Sequence, residues 1–453
     1  MTRNIAFTVV TLCSFLSSFA ASSINIALPA IGNEFQLNAI LLSWIATIFL
    51  LASSMFLIPF GKLGDMYGRK KVFAIGIAGF TIASFLCAIS GNIIELYIFR
   101  VLQGITNSMI FATSLAILTS VFPPNMRGKI LGINVATVYI GLSTGPVFGG
   151  LLTHYLGWRS IFWFNVPLGI LIILVLHLKL KGEWKSIHQE KFDIPGSIIY
   201  SVTLVIMVTG FSLLPGIPGF ALIATGIVFA FFFLMYENGI KDPILNVHLF
   251  KANRVFAMSN LAALINYSAT FAVGFLLSLF LQYTKGLKPQ EAGFILLFQP
   301  LTQAIFSPLA GRISDKIEPR IVSSTGMGLT TLGLFLMIFL NNETGYAYIV
   351  LCLLIIGIGL AFFSSPNTTA IMSTVETRHY GVTSATLSTM RTLGQIFSMG
   401  MAMLIFAVFI GNVRITPEYY APFLKSIKFA FALFAFFCLT GVFASLARGR
   451  IHT

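Results

Sequence analysis

Long apolar runs separated by short polar punctuation make up almost the whole chain. Runs long enough to cross a bilayer as helices, roughly 20 residues each, fall at 5–31, 39–60, 72–90, 94–121, 130–155, 160–180, 194–213, 218–236, 255–283, 290–310, 321–340, 346–370, 380–411 and 423–446. They predict an all-α membrane protein with fourteen transmembrane helices. The first run has a flavour of a secretory signal, with Arg3 before it and the small residues Ser18, Ala20, Ala21 and Ser22 inside it. It is too long for a typical signal core and thirteen further spans follow, so it is read as an uncleaved first span.

Composition agrees. The 453 residues are 57% hydrophobic and 9% charged, with a mean hydropathy of +0.91, which leaves too little polar surface for a soluble globule of this size. The net charge of +14 is spread in small clusters between spans rather than gathered into one patch, a pattern of membrane orientation and not of nucleic-acid binding. With an even number of spans both termini lie on one side. Twenty of the 28 Lys and Arg fall on that side and six on the other, with Arg100 and Arg391 inside spans. By the positive-inside rule both termini are cytoplasmic. Cys13, Cys87, Cys352 and Cys438 sit singly inside apolar stretches without metal-ligand spacing, and no metal or cofactor is expected.

The most polar linkers, 179–193 and 237–254, flank spans 7 and 8. The expected organisation is a six-helix bundle at 1–180, an inserted transmembrane hairpin with its linkers at 181–254, and a second six-helix bundle at 255–453 in pseudo-twofold relation to the first. Many secondary transporters are built from such repeats.

A short basic hinge marks both halves. Gly61, Gly64, Asp65, Gly68, Arg69, Lys70 and Lys71 lie between spans 2 and 3, and Gly311, Arg312, Asp315, Lys316, Glu318, Pro319 and Arg320 occupy the matching place in the second half. Glycines permit a tight reversal and close helix approach, Asp65 can accept from a helix N-terminus or an arginine, and the cations hold the next span to one side. In span 5, Gly141, Gly145 and Gly149 form a ridge on one helix face beside Pro146 and Gly150. Such a ridge lets two helices meet backbone to backbone.

The hinge at 61–71 resembles the signature of the major facilitator superfamily. That resemblance implies that Gly61, Gly64, Asp65, Gly68 and Arg69, with Asp315 in the weaker second copy, form a conformational latch in the outward-facing state. The stretch 141–150 is similar to the motif that exporters of the superfamily carry. Asn25-Ile26-Ala27-Leu28-Pro29 and the string from Trp158 to Pro167 resemble the fourteen-span drug:proton antiporters, whose likeness covers essentially the whole chain. The resemblance implies proton exchange, a part in proton transfer for Arg100, and efflux of amphipathic compounds. One departure stands out: the family's usual aspartate is replaced by Ala20.

Polar groups inside the spans supply the candidate cavity. Arg100, Gln103 and Asn107 share one face of span 4, where Arg100 either faces a cavity or snorkels to the interface. Arg391 and Gln395 share a face of span 13, roughly 15 Å deep at 1.5 Å per residue. Gln299 and Gln303 do so in span 10, and Ser22, Asn25, Asn260, Asn266 and Asn367 complete the set. No acidic residue and no histidine falls near the middle of a span; Glu95 and Glu291 stand at span starts and the other acidic residues in loops or hinges. A cavity with two cations and no counter-anion favours neutral or anionic cargo, and an aspartate restored at Ala20 is expected to admit cations.

The expected partners are a small-molecule substrate, the lipid bilayer and, by resemblance, protons, with a monomer favoured and no nucleic acid. A nucleotide-driven pump is disfavoured because the chain has no Gly-x-x-x-x-Gly-Lys-Ser/Thr loop. An enzyme would need a catalytic cluster at membrane depth, and none is found. A receptor would leave the duplicated hinge unexplained. Export of organic anions or metabolites is the alternative within transporters.

Overall fold

The computed structural model describes residues 2–180, 182–184, 192–240, 243–245, 247–374, 380–411 and 413–449. The first six helices are α1 (Thr2–Phe35), α2 (Ala39–Tyr67), α3 (Arg69–Ile89), α4 (Ile93–Val121), α5 (Pro124–Leu156) and α6 (Ser160–Lys179). Then come the pair α7 (Ile194–Leu213) and α8 (Ile217–Gly239), and the short α9 (Val247–Ala252). One span is built from α10 (Arg254–Thr270), α11 (Ala272–Leu279) and a π turn at Phe280–Thr284; the next joins α12 (Pro289–Leu296) to α13 (Phe298–Ser314). The last are α14 (Pro319–Met337), α15 (Tyr346–Ser373), α16 (Tyr380–Phe409) and α17 (Tyr420–Leu446).

Polar punctuation starts these helices by direct chemistry. Asn38, Asn92 and Asn253 each cap a helix by accepting from the backbone N–H three residues on, in α2, α4 and α10, which satisfies a donor that has no intrahelical partner.

Among the described residues, thirteen helices are long and apolar enough to cross a membrane. The remaining expected span, at 321–340, is the 19-residue helix α14, which falls short in hydropathy because Gly326, Gly328, Gly333 and five Ser or Thr dilute it. Packing explains those small residues. A Cβ at Gly326 would fall 2.5 Å from Phe363 N, and one at Gly333 would fall 3.2 Å from Cys352 O. The backbones of α14 and α15 are therefore in near contact, which larger apolar side chains would prevent.

The same pairings recur before and after the hairpin. α1 packs on α5 and α6, α3 on α4 and α6, and α2 on α4; correspondingly α10 packs on α16 and α17, α14 on α15 and α17, and α13 on α15. Between the two sets, α5 meets α12 and α13 along one seam, and α2 meets α16 along the other. α7 and α8 pack on each other, and α7 lies over the α2–α16 seam. α8 turns a largely apolar surface outward, with Phe220, Phe231, Phe232 and Met235 exposed, as a lipid-facing helix does.

Candidate functional site

Between the two sets of helices lies a cavity of about 370 Å³. Its wall on α1 is a ladder of small, mostly polar residues, Ser14, Ser17, Ser18, Ala21, Ser22 and Asn25, spaced so that they project from one face. The polar lining also includes Asn107 of α4, Tyr139 of α5, Tyr267 of α10, Gln299 and Gln303 of α13, and Arg391 and Gln395 of α16. Phe49, Phe111 and Phe271 supply aromatic surface. Among the described lining residues Arg391 is the only charged one.

Arg391 is held but not neutralised. Its Nη2 donates to Thr368 Oγ1 at 2.8 Å, its guanidinium lies 5.6 Å from the Tyr267 ring centroid, and its Nε has no hydrogen-bond partner. Beside it, the Tyr139 hydroxyl and Ser364 Oγ share a hydrogen bond of 3.0 Å between α5 and α15. Asn107 donates to Ser53 Oγ at 3.2 Å, and its Oδ1 is left without a donor. Both unpaired atoms are themselves buried, whereas Arg391 as a whole is half-buried, so part of its side chain stays open to a ligand with complementary heteroatoms.

Several residues expected to line the cavity do not. Arg100 is 1% exposed and points away from the cavity: its Nε donates to Ile45 O at 3.1 Å, its Nη1 to Gln103 Oε1 at 2.6 Å, and its guanidinium stacks 4.4 Å from the Phe49 centroid. Gln103 in turn donates to Ser84 Oγ of α3 at 2.9 Å. Arg100 thus neither snorkels nor faces the cavity. It ties α2, α3 and α4 together, with its desolvation offset by charge-assisted bonds and an aromatic face. Asn367 donates to Ser259 O at 3.1 Å and bridges α15 to α10, Asn260 donates within its own helix, and Asn266 is fully buried in α10. Ala20 is also turned into the packed interior, 5% exposed, while its neighbour Ala21 lines the cavity.

The glycine ridge has two partners. Gly141, Gly145 and Gly149 face α1, where added Cβ atoms would fall 2.7 Å from Phe15 O, 3.0 Å from Ser23 N and 2.8 Å from Ser23 Cβ. Gly150 and Pro146 face the other set of helices. A Cβ at Gly150 would fall 2.6 Å from Pro289 O and 2.9 Å from Gln290 Cα, and Gly293 of α12 rests on the Pro146 carbonyl. Close by, Ser278 Oγ donates to Asn25 O at 2.7 Å and Gln282 Nε2 to Ile26 O at 3.0 Å. These contacts close the cavity at the end away from the termini.

The hinge works within the first set of helices. Arg69 Nε bonds Asp65 Oδ1 at 2.6 Å, and Arg69 Nη1 donates to Ala116 O at 3.1 Å and to Ser120 Oγ at 2.5 Å, so the pair fastens the α2–α3 turn to α4. Gly64 allows the approach of α2 to α4, with Thr113 Cγ2 2.8 Å from where its Cβ would be. Gly61 meets only an ordinary 3.8 Å contact and makes no close approach. Gly68 has φ +119°, and the Glu183 carboxylate occupies the space of its missing side chain. That carboxylate accepts from Lys70 N at 2.9 Å at the start of α3. In the second copy Asp315 stands exposed at the end of α13, its N–H bonded to Gly311 O.

The Asp65–Arg69 pair is partly exposed, with side chains 22% and 44% accessible for Arg69 and Asp65, so it contributes under about 1 kcal/mol to stability. Asp65→Asn is accordingly expected to leave membrane abundance and melting temperature near normal while transport falls sharply. Unchanged initial rates would reduce the hinge to an orientation signal.

Sequence reasoning missed Tyr139 and Tyr267. A signal was available for the first. Val135, Tyr139, Leu142 and Pro146 recur at helical spacing on one face of α5, so the face carrying Pro146 pointed to Tyr139.

Comparison with known proteins places this architecture. The sequence model of the Major Facilitator Superfamily matches residues 10–251 and 260–451. The riboflavin transporter RibZ of Clostridioides difficile (strain 630) is 32% identical over 400 residues, 88% of this chain and 86% of the relative. The multidrug resistance protein Stp of Mycobacterium tuberculosis (strain CDC 1551 / Oshkosh) is 29% identical over 398 residues, 86% of this chain and 73% of the relative. Among solved structures, a bacterial homolog of the human lysosomal transporter Spinster, in an inward-facing and unoccupied conformation, aligns with a TM-score of 0.72 at 18% identity, covering 99% of this chain and 97% of that one. The helix pairings, the central cavity and these matches lead to one conclusion: the chain belongs to the Major Facilitator Superfamily and is a multi-pass membrane transporter of small molecules, not an enzyme.

Proposed function

We propose that the chain exports small amphipathic compounds, neutral or anionic, across the cell membrane by alternating access, in exchange for protons. In this reading residues 1–180 and 255–453 are the two rocking halves, 181–254 is an inserted hairpin, all fourteen helical runs span the bilayer, and both termini are cytoplasmic. The closed end of the cavity then faces outward. The observation that carries the reading is the cavity itself: aromatic and amide-rich, with Arg391 as its one charge and no carboxylate in its described lining. A permanent cation would enter a site of its own sign without compensation.

A second reading is favoured by the match to RibZ. A planar, uncharged metabolite of the riboflavin type carries the carbonyl and imide groups that Arg391, Gln299 and Asn107 can bond, and the rings that Phe49 and Tyr267 can stack upon. It is one member of the same neutral class.

Counterflow in proteoliposomes tests both, with riboflavin, an anionic amphiphile and a quaternary ammonium dye as cargo. Exchange of at least one of the first two is expected, with the dye weak or absent. Robust exchange of the dye by the unmodified chain would sink the proposal. The packing of α1 adds a sharper arm. Ala21→Asp places a carboxylate in the cavity and should raise dye exchange several-fold, since each 1.4 kcal/mol is about tenfold in affinity. Ala20→Asp buries a carboxyl in the packed interior at a cost of several kcal/mol, so loss of folded protein is expected there rather than the gain that the sequence alone suggested.

A further inference from the structure

Asp193 and Glu237 are the two acidic residues that the structure buries among those it describes. Glu237, in the last turns of α8, is 0% exposed, and Asp193, at the N-terminus of α7, is 7% exposed. Two of their four carboxyl oxygens accept hydrogen bonds and two do not. Asp193 Oδ1 accepts from Gly196 N at 3.0 Å and from the Tyr236 hydroxyl at 3.2 Å. Glu237 Oε2 accepts from Leu245 N at 2.9 Å. The other two oxygens, Asp193 Oδ2 and Glu237 Oε1, converge over Gly196, whose lack of a side chain leaves them room, and neither has a donor.

Two ionised carboxylates facing each other in a buried site repel strongly, and each also lacks its hydrogen bond; one shared proton removes both penalties. No described cation offers another remedy. The ionisable groups around the pair are Tyr236 on α8, which already donates to Asp193, and Tyr200, which shares the Asp193 face of α7 and packs against Phe233 of α8. Across the connection, α9 carries His248 and Lys251, and Lys251 donates to Asn238 at 2.9 Å instead. α2 and α16 also pack on α7, and the described side-chain hydrogen bond from α7 to α2, Ser201 Oγ to Met55 O, is a neutral one.

We propose that Asp193 and Glu237 form a proton-binding site that holds one proton between Oδ2 and Oε1, and that this proton closes the base of the α7–α8 hairpin. Through Leu245 N, the same carboxyl fastens the segment that leads into α9 and α10, the first span of the second half. Release of the proton leaves two anions across Gly196, spreads the ends of α7 and α8, and frees Leu245. Only a proton is transferred: it leaves the pair for water, and no other covalent bond changes.

The full-length chain in lipid nanodiscs, at neutral pH, gives a direct test by infrared spectroscopy. Exposed carboxyls are ionised there, so a protonated carboxyl stretch arises from a buried acid. It should be present in the wild type, shift on carboxyl-13C labelling of aspartate and glutamate, and vanish in E237Q and in D193N. The amide of each variant can donate to the facing carboxylate, so the geometry survives without the proton. Hydrogen exchange supplies the second readout: corrected for intrinsic rates, exchange at Leu245 should accelerate about tenfold or more on going to alkaline pH in the wild type and stay flat in E237Q. Absence of the stretch in the wild type overturns the proposal, as does its persistence in both variants or the same alkaline acceleration in E237Q. Should the variants fail to fold, the labelled wild type alone decides, because a missing stretch at neutral pH excludes the shared proton.

Discussion

Gly150→Val is expected to abolish transport while the protein still reaches the membrane. The closed end of the cavity depends on backbone contact between α5 and α12, and a Cβ at residue 150 would lie 2.6 Å from Pro289 O and 2.9 Å from Gln290 Cα. Neither is a flexible side-chain end, so one helix must retreat. Overpacking of this sort costs typically about 1–3 kcal/mol, and here the cost falls on the conformation in which that end is shut. An equilibrium between two conformations shifts by about tenfold for each 1.4 kcal/mol, so the closed form would fall by roughly 5- to 150-fold relative to the other. Initial rates in proteoliposomes check the loss, and a cysteine at Ser18 in the cavity should gain labelling from the face opposite the termini. Gly61→Ala, whose Cβ would meet only Ala112 Cβ at 3.8 Å, should transport normally. Wild-type rates in Gly150→Val would show that the α5–α12 contact is not part of the cycle.

Arg391→Gln should separate anionic from neutral cargo. The guanidinium has one bond to Thr368, lines the cavity and has no carboxylate partner among the described residues, so an anionic group in the cavity gains a charge-assisted hydrogen bond that glutamine replaces only with a neutral one. Bonds to charged groups contribute about 1.5–3 kcal/mol, which predicts a loss of roughly 10- to 150-fold in apparent affinity for an anionic amphiphile. A neutral cargo such as riboflavin should change by no more than a few-fold, and dye exchange should rise as the positive charge disappears. Apparent affinities from counterflow of the three cargos make the comparison. Equal losses for anion and neutral compound would mean that Arg391 serves packing rather than recognition.

What the chain states openly and what it withholds follow from the physics of helices. Apolar run length announces a membrane helix because lipid offers no other partner for the backbone, and each run coincides with a helix, α14 included. The ridge Gly141, Gly145, Gly149 was legible as a close-packing face, but a face does not name its neighbour: only the fold shows that it meets α1 while Gly150 meets α12. Polar residues in spans were harder. Arg100, Gln103 and Asn107 share one helical face, yet Asn107 reaches the cavity and the other two are spent holding α2, α3 and α4, because a guanidinium as readily finds a carbonyl and an aromatic ring as a ligand. Ala20 and Ala21 differ by one position, about 100° around a helix, and that turn decides whether a carboxylate there would greet a substrate or be entombed. Glu237 looked like a loop residue by its place in the sequence, and burial of the hairpin base is a tertiary event that no local pattern reports.

The hairpin makes the two seams of the molecule unequal. α7 roofs the α2–α16 seam, where Gly400 of α16 leaves room for the Phe211 ring, whereas among the described residues no helix covers the α5–α13 seam in the same way. A bundle whose halves repeat the same pairings is thereby given a front and a back. If the cargo is an amphiphile dissolved in the surrounding leaflet, as proposed above, it would meet a covered seam on one flank and an uncovered one on the other, which would make lateral traffic between bilayer and cavity one-sided in a molecule whose helical plan is symmetric.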